Sequence, residues 1–437
     1  MYLQIAIILL IMIVAYALVN WRKLSVELCM LAAALAGGVA GTFVKTPPIS
    51  QLVRHLVEGT FTYLDVMLVF VTATIFILII TESGGVNYVV RGIIKVFYNK
   101  RIFALLLLMI VILIPGALTG AGSVSILTVG APCALALGYL GIPKRKVAAI
   151  LFIIGGLSAI APPVNIWAMI VSAGTAIPYV GFELPLGIPV LLLGTFSILV
   201  LGWKSEKKMK LEDILKEMSK VPEKMSWWRV ALPFLIFFGL IVAYRIWPFT
   251  VPILGLPLEF TIAAIAAMLV SPKKINILVL SRDTVKLLLP LLATMAIVGS
   301  LQQIMTVTGV RGLISYAVLS TPLVLLYILL IFIIPFSEGV LTYGAAAIIG
   351  VPLVWFLDSI GLHATVAIAG LTLLWPLGDG LPPTALIGRL SVMMSEYQES
   401  YWSFLKTTWL PWIVITVVGI LMIIFSAKLG FLVQWSM

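Results

Sequence analysis

Two carboxylates, Glu338 and Asp379, fall inside apolar stretches of this 437-residue chain, each within a run of glycine, proline and small polar residues. Burying a carboxylate at membrane depth is costly, so one found there is by default a candidate for handling an ion or a solute. Glu338 lies in Pro335-Phe336-Ser337-Glu338-Gly339-Val340-Leu341-Thr342-Tyr343, where Ser337, Thr342 and Tyr343 add hydroxyl groups. Its counterpart earlier in the chain is Pro115-Gly116-Ala117-Leu118-Thr119-Gly120-Ala121-Gly122-Ser123, which offers Thr119, Gly120, Gly122 and Ser123, with Ser125 just beyond. Proline removes a backbone donor and glycine permits non-helical dihedrals, so both runs are expected to turn the chain and expose peptide groups. Such groups are tolerated at membrane depth only where they are buried in protein or line a polar cavity.

Each of these runs precedes a second interruption. The first reads Gly155-Gly156-Leu157-Ser158-Ala159-Ile160-Ala161-Pro162-Pro163-Val164-Asn165 and the other Gly378-Asp379-Gly380-Leu381-Pro382-Pro383-Thr384. A half-helix that starts after a proline pair presents free N–H groups and the positive end of its dipole, which suits an anionic substrate group. The carbonyls left free before the break, with Ser158, Asn165 or Asp379, suit a cation. Bland alternatives stand beside these readings: a proline kink at each break, and a glycine-rich packing contact at the first tip. His363 falls at a predicted loop. Cys29 and Cys133 sit in apolar segments with no metal-ligand spacing around them.

The elements that must position these runs are membrane helices. Hydrophobic residues make up 62% of the chain and charged residues 10%, and the mean hydropathy is +1.19, which excludes a water-soluble domain. Apolar runs such as Ile5 to Val19, Val66 to Ile80, Leu186 to Leu201 and Trp412 to Phe425 mostly reach the ~20 residues that cross a bilayer core of ~30 Å. From Arg101 to Pro115 the chain is too short to cross as a helix, so that segment is expected to turn back. The net charge of +11 does not indicate a nucleic-acid partner, because Lys and Arg concentrate in short loops between apolar runs. The first apolar run is expected to be a retained helix rather than a signal peptide, since it has no basic n-region and Arg22 and Lys23 follow it.

An ungapped shift of 220 residues carries Pro115 onto Pro335, Arg91-Gly92 onto Arg311-Gly312, Gly130 onto Gly350, Pro132 onto Pro352, and Pro162-Pro163 onto Pro382-Pro383. Chance matching of apolar helices would not hold so many prolines and glycines in register. The two copies are expected to have opposite orientations. Lys95, Lys100 and Arg101 precede the first hairpin and Lys144, Arg145 and Lys146 follow it, whereas the shifted positions in the second copy carry no charge. Lys45, Arg54 and Arg245 are exceptions that this topology leaves outside. The expected fold is an all-α polytopic membrane protein of two inverted repeats, 1–203 and 230–437, joined by a Lys-rich cytoplasmic linker, 204–229. Each repeat holds five crossings, one a broken helix, plus a re-entrant hairpin, and both termini lie outside. Stretches Pro47 to Tyr63 and Pro272 to Lys286 are amphipathic and expected at the interface.

Two hairpins with small polar tips, each followed by a helix broken at a glycine-rich sequence ending in Pro-Pro, resemble the ion transporter superfamily of elevator-type carriers. The likeness is greatest to the large membrane subunit of TRAP transporters (DctM-like) and covers nearly the whole chain. It implies that Thr119 to Ser125, Ala161-Pro162-Pro163 and Gly380-Leu381-Pro382-Pro383-Thr384 form substrate and coupling-ion sites. The hairpins and broken helices would then move together against a scaffold of outer helices. It also implies partners: a small membrane subunit and a periplasmic binding protein, or a second copy in a homodimer, in a bacterial or archaeal cytoplasmic membrane. Glu338 and Asp379 depart from the family's usual neutral residues, which leaves the coupling ion open between Na+ and H+.

The expectation is therefore ion-coupled secondary transport of a small organic anion, a carboxylate, without a resident cofactor. A channel is the alternative. An enzyme is not expected, because the sequence shows no phosphate-binding loop, no metal-ligand spacing and no nucleophile with a histidine partner.

Overall fold

The computed structural model describes residues 2–203, 211–218, 221–247, 249–250, 252 and 254–434. The Lys-rich start of the expected linker, 204–210, lies outside the described residues, as do 219 and 220. Among the described residues all regular structure is helical. Nine helices among the described residues are long and apolar enough to cross a membrane, or ten if the pair Tyr401–Thr407 and Trp409–Ile424, bent by 55°, counts as one span. The protein is thus an all-helical, multi-pass membrane protein.

In the first half the helices are α1 (Tyr2–Trp21), α2 (Val26–Phe43), α3 (Ile49–Thr60), α4 (Leu64–Glu82), α5 (Gly85–Phe97), α6 (Arg101–Thr119), α7 (Gly122–Ser125), α8 (Ala131–Tyr139), α9 (Lys144–Ile160), α10 (Ile166–Thr175) and α11 (Glu183–Gly202). A short α12 (Leu211–Glu217) follows. The second half runs α13 (Trp227–Ile246), α14 (Leu256–Val270), α15 (Ile277–Val307), α16 (Val310–Ser320), α17 (Leu323–Leu341), α18 (Val351–Ser359), α19 (Ala364–Gly378), α20 (Leu386–Met394), α21 (Tyr401–Thr407) and α22 (Trp409–Ile424).

The two halves follow the same order of elements, with α3 and α4 corresponding to the single α15 and α11 to the bent pair α21 and α22. A π-helical turn occupies Ile126–Gly130 in one and Ala346–Gly350 in the other, directly before α8 and α18. Pro132 and Pro352 explain it: a proline two residues into the next helix donates no N–H to the carbonyl four residues back, and a wider turn absorbs the interruption. Contacts between the halves are reciprocal. Helix α4 packs on α14 while α15 packs on α2, and α10 packs on the second π turn while α20 packs on the first. At the centre lie α9 and α19, in which every residue from Val147 to Ile160 and from Thr365 to Gly378 is buried. A helix apolar and covered on all sides belongs in the core of a bundle. Helices α1 and α13 bury few of their residues and present Leu10, Leu18, Leu235 and Phe238 outward, as a lipid-facing helix does.

Three local expectations are corrected. The first arm does not end at Pro115: α6 runs on to Thr119, and within the run Pro115 to Ser123 the turn comes at Gly120, with φ 70°. At 19 residues and ~1.5 Å per residue, this arm is long enough to span the hydrocarbon core. Pro115 is accommodated inside the helix, and one turn later Thr119 Oγ1 donates back to its carbonyl at 2.7 Å, as hydroxyl side chains within helices do. Secondly, the glycine-rich half of the first break remains helical, so that only 161–165 is irregular there, whereas the second break is irregular from Asp379 to Ala385. Finally, the stretch from Pro272 to Lys286 is no separate interfacial helix beyond Ile277: it continues into the 31-residue α15. In the first half Phe61-Thr62-Tyr63 separates α3 from α4, whereas Ser281-Arg282-Asp283 at the shifted positions stays helical.

Candidate functional site

The ends of the two hairpins and the second break meet at one cavity of about 830 Å³. Ser123 and Val124 line it from the first tip, Thr342 and Tyr343 from the second, and Pro383 and Thr384 from the second break. The opposite wall is Ser25 to Glu27, at the start of α2, with Leu291 and Thr294 of α15. A volume of this order accommodates a small molecule. Thr342 closes the second tip at φ 52° and ψ −140°, a region that costs a β-branched residue roughly 1–3 kcal/mol and is held only where the surroundings impose it.

Three charged groups border the cavity: Lys23, Glu27 and Arg389. Glu27 is engaged with the scaffold, accepting from Thr294 Oγ1 at 2.9 Å. Arg389 is exposed and donates from Nη2 to Pro383 O at 2.8 Å. It sits on α20, whose N-cap Ala385 supplies no side-chain cap. Gly388 N, in the first turn of that helix, donates to Asp379 O at 3.1 Å, and the helix dipole and the arginine together favour a negative group. None of Lys23, Glu27, Thr294 and Arg389 was singled out from the sequence. Arg389 follows the second Pro-Pro by one helical turn and its shifted counterpart is Met169, which is the signal that marks it.

Behind the cavity wall lie the two carboxylates. Glu338 is fully buried in the last turn of α17 and Asp379 is 3% exposed at the end of α19. Glu338 Oε2 accepts from Trp167 Nε1, in α10, at 2.9 Å, while Oε1 has no hydrogen-bond partner among the described residues. The Trp167 ring lies 4.9 Å from that of Tyr343, so a short stack of rings joins the cavity to Glu338. Thr384 ties the second break to the second hairpin, its N and Oγ1 donating to Gly339 O at 3.2 and 2.9 Å. Tyr401 OH holds the same break from α21, donating to Gly380 O at 2.8 Å. Ser337 Oγ turns back to Ile334 O at 2.8 Å. Pro382 sits beside Pro383, and the bond between them is cis, as is Pro162-Pro163.

The first break is built differently. Asn165 caps α10, its Oδ1 accepting from Ala168 N at 3.0 Å, so that N-terminus is already satisfied. Tyr179 OH accepts from Asn165 N at 2.9 Å and donates to Pro163 O at 3.1 Å. Burial raises the Tyr179 phenol above its ordinary range, which keeps it protonated for that bond. Pro162 and Pro163 face a separate apolar space of about 330 Å³ with Phe234 and Phe238. Thr119, Ser125 and Ser158 direct their hydroxyls to Pro115 O, Ile112 O and Gly155 O. Gly120 and Gly122 pack against Ile166 and α9 respectively. The structure therefore brings together the two tips and the second break, and leaves the first break and these three hydroxyls apart from the polar cavity.

No family model matches the chain, and no curated protein sequence matches it. Solved structures do: the YdaH transporter of Alcanivorax borkumensis, described as having an unusual topology, aligns with a TM-score of 0.56 at 13% identity, over 86% of this chain and 87% of that one. At that identity the likeness concerns the fold alone, that of a polytopic helical membrane protein.

Proposed function

We propose that the protein is a secondary transporter that moves a small organic anion, bearing a carboxylate, across the membrane at the expense of a cation gradient, sodium or proton. The observation that supports this most directly is the 830 Å³ cavity, in which Arg389, Lys23 and the uncapped start of α20 lie beside Ser123, Thr342 and Thr384. Arginine's planar fork of donors matches a carboxylate and orients it. The second support is the backbone pairing within each half. Val164 N donates to Ala117 O at 3.0 Å, as Thr384 N does to Gly339 O, so each break is fastened to its own hairpin. Such units, one from each repeat, are suited to move as a body against α2 and α15 in an elevator manner. The repeats are taken as 1–203 and 230–437 with a linker between.

The resemblance to the TRAP large subunit belongs to this proposal, with its accessory small subunit and binding protein. The test is uptake of radiolabelled C4-dicarboxylates and sugar acids into proteoliposomes that contain this chain alone, under imposed sodium or proton gradients. Saturable, gradient-driven accumulation supports a self-sufficient carrier. Uptake that begins only when a small subunit and a binding protein are added supports a TRAP-type assembly. Flux that does not saturate and merely dissipates a gradient favours a channel instead.

A further inference from the structure

We infer that Glu338 and Asp379 form a proton-carrying site and that the proton is the coupling ion. The inference rests on the transporter reading for its role in the cycle, though its chemistry stands on the pair itself. The fold does not require acids at these positions. A shift of 220 residues places Leu118 opposite Glu338 and Ala159 opposite Asp379, and both are as buried as the acids they correspond to. The same architecture is therefore built once with apolar side chains and once with carboxylates.

The surroundings of the pair offer little compensation for two negative charges. Glu338 receives one N–H, from Trp167, and its second oxygen is unpartnered. Asp379 is close enough to repel Glu338 electrostatically. A Cβ placed on Gly378 would come within 2.6 Å of Glu338 Cβ, so the α19 backbone next to Asp379 touches the base of the glutamate. The other titratable groups that face the pair are Tyr343, at the second tip, and Tyr401, from α21. Arg389 is near enough to Tyr401 to interact with it electrostatically. No Lys, Arg or His forms an ion pair with either acid among the described residues. Two buried carboxylates with one donor and no cation keep their charge only at a large cost, and taking up a proton removes half of it.

A metal ion suits the pair less well. Hard cations take several oxygen ligands, whereas one oxygen of Glu338 is already committed to the Trp167 N–H group. In the cycle, a proton from the aqueous side adds to the carboxylate pair, an O–H bond forms, and the pair carries one negative charge rather than two. The proton leaves to water on the opposite side. Tyr343, shared between the cavity wall and the Trp167 stack, places this site next to the bound anion.

The test is infrared spectroscopy of the full-length purified protein in lipid, titrated from about pH 5 to pH 8 with and without sodium. A protonated-carboxyl band in the wild type that is lost in Glu338→Leu, altered in Asp379→Asn and indifferent to sodium is the expected result. Glu338→Leu copies the residue that the first repeat already buries at this position, and near-wild-type melting establishes that the loss is not misfolding. Absence of the band throughout the range, or its removal by sodium, overturns the inference even where uptake is gradient-driven. Failure of uptake with the band intact counts against the transport reading and leaves the protonated pair standing.

Discussion

Trp167 of the first half donates its indole N–H to Glu338 of the second half at 2.9 Å, across 171 positions of sequence. The bond joins the half-helix after one break to the hairpin arm of the other repeat, so the two broken units share a buried polar contact. A hydrogen bond to a charged group contributes about 1.5–3 kcal/mol, and ~1.4 kcal/mol is tenfold in a rate or a binding constant. Trp167→Phe keeps a ring against Tyr343 and removes the donor. Uptake in proteoliposomes is expected to fall about tenfold or more, with the melting temperature within a few degrees of wild type; an unchanged uptake rate would show that the bond plays no part in transport.

Arg389 is argued to orient the substrate carboxylate, so its loss acts on binding before it acts on turnover. Arg389→Gln is expected to raise KM by roughly tenfold to a hundredfold, the range that one or two charge-assisted hydrogen bonds supply. Arg389→Lys retains the charge without the planar fork and is expected to fall in between. Concentration-dependent initial rates for the three proteins check this. A KM that does not move in Arg389→Gln places the anion elsewhere.

Gly378 precedes Asp379 where α19 crosses α17, and a Cβ there would strike the carbonyl of Pro335 and Glu338 Cβ. Backbone cannot yield as a side chain can, so the two helices must separate. Gly378→Ala is expected to destabilise the protein by about 1–3 kcal/mol, as overpacking of a close contact does, and to lower activity by displacing the carboxylate pair. Thermal unfolding followed by tryptophan fluorescence measures the first effect. A melting temperature equal to wild type would mean that the approach is looser than the geometry shows.

Proline and glycine made much of this arrangement legible before any coordinates. They punctuate the chain strongly, and the 220-residue shift holds them in register, down to the two π-helical turns that precede Pro132 and Pro352. The errors came from the same residues. The runs Pro115 to Ser123 and Gly155 to Asn165 do contain the interruptions, but a membrane helix surrounded by neighbours tolerates Pro115 and Gly155-Gly156, so the turns occupy only their later parts, at Gly120 and at 161–165. The candidate site was legible in part. Ser123, Thr342, Tyr343, Pro383 and Thr384 share the cavity, whereas Thr119, Ser125 and Ser158 direct their hydroxyls to local carbonyls. A hydroxyl in an apolar run looks the same whether it serves a solute or its own helix. Lys23 reads from the sequence only as a loop charge and Arg389 lies just past the second break, and packing is what shows that both border the cavity.

Opposite orientation of the two repeats rests on charge alone and is open to a direct test. Lys100 stands at the base of the first hairpin and Ser320 at the shifted position in the second, and both are exposed. The native Cys29 and Cys133 are buried, so they contribute little background to thiol labelling. Basic residues around the first base are expected to hold it on the cytoplasmic side, while the second base lacks them. In right-side-out vesicles, a membrane-impermeant maleimide is expected to label Ser320→Cys readily and Lys100→Cys only after the membrane is permeabilised. Labelling of both from one side would place the two hairpin bases together and make the repeats parallel, in which case exchange of inward and outward shapes between inverted halves is no longer available to this protein.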